Sequence, residues 1–166
     1  MNRTQALAHS LKLQSTAFEP NGEIPMRHTG EGDDISPPLL WSGAPAGTQE
    51  FALICEDPDA PSPEPWIHWV AYHIPARITH LPEGIHRQDK LDIPIKITQG
   101  VNSFKKIGFN GPMPPQGHGW HRYFFHIYAL DLQLQLSPRA TQKDLLKAIK
   151  GHILAETHTM GRYRRN

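Results

Sequence analysis

Proline stands at 16 of the 166 positions of this chain, about twice its ordinary usage. Each proline fixes its own φ, lacks an N–H and pushes the residue before it out of the helical region. A chain so punctuated cannot be built from long helices. It must turn often, and the apolar runs between its prolines have the length of strands. Hydrophobic residues make up 38% and charged residues 20%, enough to bury one core. The length suits a single domain spanning residues 1–166, and no repeat, linker or low-complexity segment interrupts it.

Charge and cysteine usage narrow the function classes. Net charge is +1, and Lys and Arg are scattered apart from Arg162, Arg164 and Arg165 in the tail. There is no broad basic face of the kind nucleic-acid binding needs. Cys55 is the only cysteine and sits in an apolar run, so an intrachain disulfide is impossible and a buried, inert thiol is expected. Residues 1–10 are mixed and polar without a signal-peptide core, and no stretch approaches the roughly 18 apolar residues of a membrane span. A cytoplasmic, unexported protein is the expectation.

Period-2 patterning supplies most of the elements. Leu11, Leu13, Ser15 and Ala17 alternate with Lys12, Gln14, Thr16 and Phe18, as a strand with one buried face does. From Glu31 to Gly47 the prolines Pro37, Pro38 and Pro45 favour a long ordered loop, pinned to the core by Trp41. Phe51 to Cys55 reads as a strand buried on both faces that stops at Pro58. His68–Ile74 and Tyr123–Leu130 are aromatic and branched enough for central strands. Ile93, Ile95 and Ile97 suggest an edge strand, because Pro94 cannot donate to a ladder. Only Thr141 to Ile153 looks helical: Thr141 can cap it, Asp144 stands at its third position, Leu145, Ile149 and Ile153 line one face, and Gly151 frays its end. Glu156 to Arg164 alternates as a closing strand. The sheet is mostly antiparallel by this pattern.

Two proline- and glycine-rich segments flank strands that carry ionisable side chains. Asp57-Pro58-Asp59-Ala60-Pro61 holds two carboxylates in a rigid turn at a strand end, although acids that merely cap backbone amides would look the same. His68 and His121 open strands, and period 2 puts His121, Tyr123 and Phe125 on one face, with Arg122 and Phe124 on the other. Between them GFNGPMPPQGHGWH (residues 108–121) combines stiffness with glycines, a composition suited to an anion-binding nest of amides around Gly117 to Gly119. Any one of these histidines taken singly fits a hydrogen-bonded strand end as well as a ligand site.

Taken in order, DPDAP, His68-Trp69-Val70, and GPMPPQGHG followed by His121-Arg122-Tyr123 resemble the signature blocks of the phosphatidylethanolamine-binding, Raf-kinase-inhibitor-like family. The upstream SPPLLWSGAP and downstream GHILAE are similar to its bacterial and archaeal branch, so the likeness runs from about Phe18 to Met160. The resemblance implies a mainly β protein: a β-sandwich with a large central antiparallel sheet, a smaller sheet and one or two peripheral helices, with a small cavity near one end of the sheet that takes phosphate-bearing groups. Carried over position by position, Asp57, His68, Pro115, His121 and Tyr123 match the pocket, Asp59, Ala60 and Pro61 shape its wall, and Gly111, Pro114 and His118 join from the glycine-rich loop. Phe109 stands where the family often has tyrosine, and the tail lacks the helix that edges the pocket in animal members. The same resemblance implies no catalytic residue, metal or cofactor. It allows a kinase or peptidase as a protein target, and a homodimer like those of bacterial relatives.

The residues themselves support either half of a zwitterion. An imidazolium beside Asp57 offers charge-assisted donors to a phosphate oxygen, while the carboxylate can instead accept an ammonium. The rival is a metal-dependent or acid–base enzyme built on Asp57, His68, His118 and His121, with His118-x-x-His121 as a short ligand-like spacing. His118 lies in the loop before the strand and need not converge, and no G-x-S-x-G supplies a nucleophile. The geometry expected is one pocket lined by Asp57, His68, His121 and Tyr123, Arg122 paired with Asp59 outside it, and a cis X–Pro bond between residues 60 and 65.

Overall fold

β-structure carries the architecture, as the prolines require. The computed structural model describes residues 10–166; the polar start read over residues 1–9 lies outside the described residues. Nine strands appear among those residues: β1 (Lys12–Gln14), β2 (Leu39–Ser42), β3 (Glu50–Asp57), β4 (Trp66–Pro75), β5 (His80–Leu81), β6 (Lys90–Leu91), β7 (Ile97–Gln99), β8 (His121–Leu130) and β9 (Ile153–Tyr163). They form two sheets, one ordered β1-β2-β5 and the other β6-β7-β4-β3-β8-β9, with every neighbouring pair antiparallel. One α-helix, α1 (Gln142–Ile149), and a 3₁₀ turn at Met26–His28 complete the described elements.

β3 shows why the large sheet is central. Phe51, Leu53 and Cys55 face a core shared with Leu39 and Trp41 of the small sheet, while Ala52 and Ile54 face a second core closed by Leu145 and Ile149 of α1. A strand with both faces dry must read as a continuous apolar run, and this one does. Gln99 ties β7 inward by accepting the Trp69 indole N–H at 2.8 Å.

Several boundaries differ from the sequence reading. α1 is eight residues long, with the Thr141–Asp144 capping box formed in both directions. Gly151 at φ +83 ends it, and Ile153, placed on the helix by its spacing, pairs with Leu130 in β9 instead and is 39% exposed. Strand pairing begins as soon as glycine releases the helical register. The alternation over residues 11–18 yields a ladder only at Lys12–Gln14, because the Ser15 hydroxyl donates to Pro38 O at 2.6 Å and accepts the Ala17 N–H. The long loop over 31–47 contains β2, which carries the buried Trp41. The isoleucine segment supplies β7 only from Ile97 onward; Ile93 is 82% exposed, and the outer edge is taken by β6. The cis bond among the described residues is Ile93–Pro94, so the one expected between residues 60 and 65 is not there.

At the opposite edge, residues 21–24 lie against the end of β9. Asn21 N donates to Met160 O, Ile24 N to Arg162 O, and Arg162 N to Gly22 O. No helix among the described residues is long and apolar enough to cross a membrane.

Candidate functional site

The end of β3 and the starts of β4 and β8 meet at one end of the large sheet, where Asp57 pairs with Trp66 and Glu56 with Phe124. Pro58 ends the ladder, so Asp57 is the last residue of β3, and the carboxylate is fixed by accepting the Asp59 N–H on Oδ1 at 2.8 Å. Facing it, His121 and Tyr123 point inward from alternate positions of β8, with Arg122 outward between them, as period 2 demands. His68 enters from β4. All four inward side chains are buried, and they share the wall of a cavity of about 240 Å³. Ala60, Pro61, Pro114 and Pro115 line the same cavity.

Hydrogen bonding fixes what each group can offer. Asp57 Oδ2 lies 2.7 Å from His121 Nδ1, so that nitrogen carries the proton. His68 Nδ1 lies 2.6 Å from Asn110 O; a carbonyl only accepts, so this ring donates there and leaves Nε2 as an acceptor. Burial lowers the His68 pKa from its ordinary value, which keeps the ring neutral. The expectation of imidazolium donors therefore does not extend to His68. Burial, reinforced by the Asp57 carboxylate, raises the Tyr123 pKa far above the ordinary phenol value, so its hydroxyl remains a donor. The cavity thus presents one carboxylate, one neutral imidazole acceptor and one phenol donor within largely apolar walls.

Three candidate residues lie elsewhere. Asp59 faces outward and grips Arg122, Oδ2 to Nε at 2.9 Å and Oδ1 to Nη2 at 3.0 Å, which is the pairing anticipated. Gly111 packs against backbone: its N–H donates to Asp34 Oδ1 at 2.6 Å, and a Cβ there would meet His28 O at 2.2 Å. His118 is outside the cavity but does converge on it, its Nδ1 lying 2.6 Å from His121 Nε2. Two amides of the expected nest are already taken, Gly117 N donating to Arg165 O and His118 N to Pro115 O. The first ties the loop to the tail and the second closes a turn within it.

Sequence reasoning missed the aromatic wall. Trp66 and Phe104 line the cavity with Met113 and Ser62. Phe104 meets Trp66 edge-on at 5.5 Å and His68 at 5.3 Å between ring centroids. Trp66, two residues ahead of His68 on the same strand face, was the available signal; Phe104 sits in a loop with no pattern to mark it. For the enzyme rival, Ser62 is the cavity's serine, and its hydroxyl donates to Glu64 O at 2.6 Å. Among the described residues no group of three or more His, Cys, Asp or Glu is placed to hold a metal ion.

Comparison with known proteins places this geometry. Residues 14–164 match the family described as phosphatidylethanolamine-binding protein. A UPF0098 protein of Methanothermobacter thermautotrophicus is 46% identical over 155 residues, covering 93% of this chain and 99% of its own. Among solved structures, E. coli YbcL, described as a new member of the mammalian family of that name, gives a TM-score of 0.87 at 31% identity over 95% of this chain and 99% of its own. A homologue from Chlamydia trachomatis gives 0.85 at 36% identity with the same coverage.

Proposed function

The chain belongs to the phosphatidylethanolamine-binding protein family, and from that membership and the chemistry of the cavity we propose that it is a binding protein for a small phosphorylated, zwitterionic head group of the phosphoethanolamine kind. The observation that carries this is the Asp57 carboxylate, 3% exposed, held in the wall of a small and otherwise mostly apolar cavity. Such a charge needs a partner of opposite sign. His121 supplies one hydrogen bond, and an ammonium group entering the cavity supplies the charge. Asp57 and His68 Nε2 accept from that ammonium, the rings of Trp66 and Phe104 wall the space around it, and the Tyr123 hydroxyl donates to the phosphate that follows. No bond of the ligand is broken in this role.

Calorimetric titration tests it with phosphoethanolamine, ethanolamine and inorganic phosphate in parallel. Phosphoethanolamine should bind more tightly than either half alone. Asp57→Asn should weaken it by about tenfold, and Tyr123→Phe by a similar factor, the scale of one hydrogen bond to a charged group. Equal affinity for phosphate and phosphoethanolamine, untouched by Asp57→Asn, would remove the zwitterion from consideration.

A further inference from the structure

On the far side of His121, outside the cavity, the outward residues of β8 and β9 form a groove. His118, Trp120, Arg122 and Arg162 line it together with Asp59, and two guanidiniums lie over the Trp120 indole, Arg162 from within the groove at 4.2 Å and Arg164 from beside it at 4.5 Å from guanidinium carbon to ring centroid. Neither arginine makes an ion pair among the described residues, whereas Arg122, directly across the ladder from Arg162, is neutralised by both oxygens of Asp59. Like charges set opposite each other on a sheet repel. Asp59 relieves that at Arg122, and Arg162 and Arg164 keep their charge without an ion-pair partner among the described residues. The indole holds both guanidiniums in place, so little side-chain freedom remains to be lost when something binds.

His118 connects this groove to the wall of the cavity. His121 gives its Nδ1 proton to Asp57, so a neutral His121 ring accepts at Nε2, and the hydrogen bond with His118 must be donated by His118 Nδ1–H. The outer nitrogen of His118 is then the one left over, on a ring that lines the groove with Trp120 and Arg162.

We propose that this groove is a second binding site, for the oxyanion of a phosphate group, with Arg162 and Arg164 as its charged donors and His118 as the residue joining it to the wall of the cavity. The site does not depend on what fills the cavity. Free phosphate and the phosphate of a head group share the chemistry it recognises.

The test is NMR of the full chain at low salt, following the Trp120 indole N–H and the backbone amides of Trp120 and Arg162 while inorganic phosphate, and separately phosphoethanolamine, is added. The Trp120 signals should move, with a midpoint at least about fivefold weaker in the exposed double variant Arg162→Gln, Arg164→Gln and unchanged in Tyr123→Phe, which alters only the cavity. Movement with phosphate alone identifies the free ion as sufficient; movement with phosphoethanolamine only identifies the head group as the source. Trp120 signals that stay still with both ligands overturn the proposal, as does a midpoint indifferent to the arginines. A response abolished by Tyr123→Phe would trace to the cavity and overturn it equally, while leaving the head-group reading intact.

Discussion

Asp57 and His121 hold each other across 64 residues of chain, carboxylate to imidazole at 2.7 Å, with their side chains only 4% and 2% exposed. The bond is both a fold constraint and a site constraint, since it sets the tautomer of the one ring that separates the cavity from the outer groove. Asp57→Ala leaves the buried His121 Nδ1–H and the half-buried Asp59 N–H without their acceptors. The expected loss is about 3 kcal/mol of stability, read from urea unfolding. A loss below about half that would mean water reaches the pair.

Arg122 and Asp59 make an ion pair in which the partners are not equivalent. Asp59 also accepts the backbone N–H of Arg122 at 2.9 Å, and the Arg122 hydrogen bond lowers the Asp59 pKa from its ordinary value. Asp59→Ala removes both functions, Arg122→Ala one. The aspartate variant should therefore have the lower urea midpoint, and equal midpoints would show that the backbone bond contributes nothing.

Stability should fall on mild acidification. Burial lowers the pKa of His28, His68 and His73 below the ordinary 6.5. As pH drops, the unfolded chain takes up protons on these rings before the folded one does, so their contribution is complete above about 6.5 and is lost progressively below it, down to their folded values. Asp59, with its pKa lowered from 3.8, acts only in a more acidic window. Urea midpoints measured at about pH 7.5 and about pH 5.5 should decrease between the two; a constant or rising midpoint would contradict the burial of these rings.

Gly111→Ala should destabilise by about 1–3 kcal/mol or more. Its Cβ would stand 2.2 Å from His28 O and 2.9 Å from Asp34 Oδ1, and backbone cannot move aside as a flexible side chain can. Gly84→Ala serves as the control, because nothing lies within 4 Å there and φ is +73, leaving conformational strain alone. The comparison is by thermal unfolding, and Gly111→Ala should lose more.

The strands were legible because each has a single rule behind it. β3 is apolar on both faces and β8 alternates, so Tyr123 inward and Arg122 outward followed from period 2 alone. The proline turn gave Asp57 its place at a strand end. What pattern could not give was anything decided between segments. Ile153 fits the helical spacing of Leu145 and Ile149 and still joins β9, because the pairing with Leu130 competes with a helix that Gly151 has already ended. Phe104 reaches the cavity through a loop whose path depends on Asn102, which accepts the Phe104 and Lys106 N–H groups. The stacking of Arg162 and Arg164 on Trp120, with Arg122 across the ladder from Arg162, required the register of β8 against β9, which no local rule contains. Gly111 and Gly117 looked like ligand-binding glycines, but their amides already donate to Asp34 Oδ1 and Arg165 O.

The strap formed by residues 21–24 bears on how this protein meets its own copies. A long outer strand offers a row of unpaired amides and carbonyls onto which another chain can add. Along β9 that row is occupied at Met160 and Arg162 by Asn21, Gly22 and Ile24. Runaway sheet extension through this stretch would first have to peel the strap away, exposing Ile24, which is 1% exposed in the folded chain. The strap is therefore a guard against aggregation, and one whose removal would uncover new apolar surface.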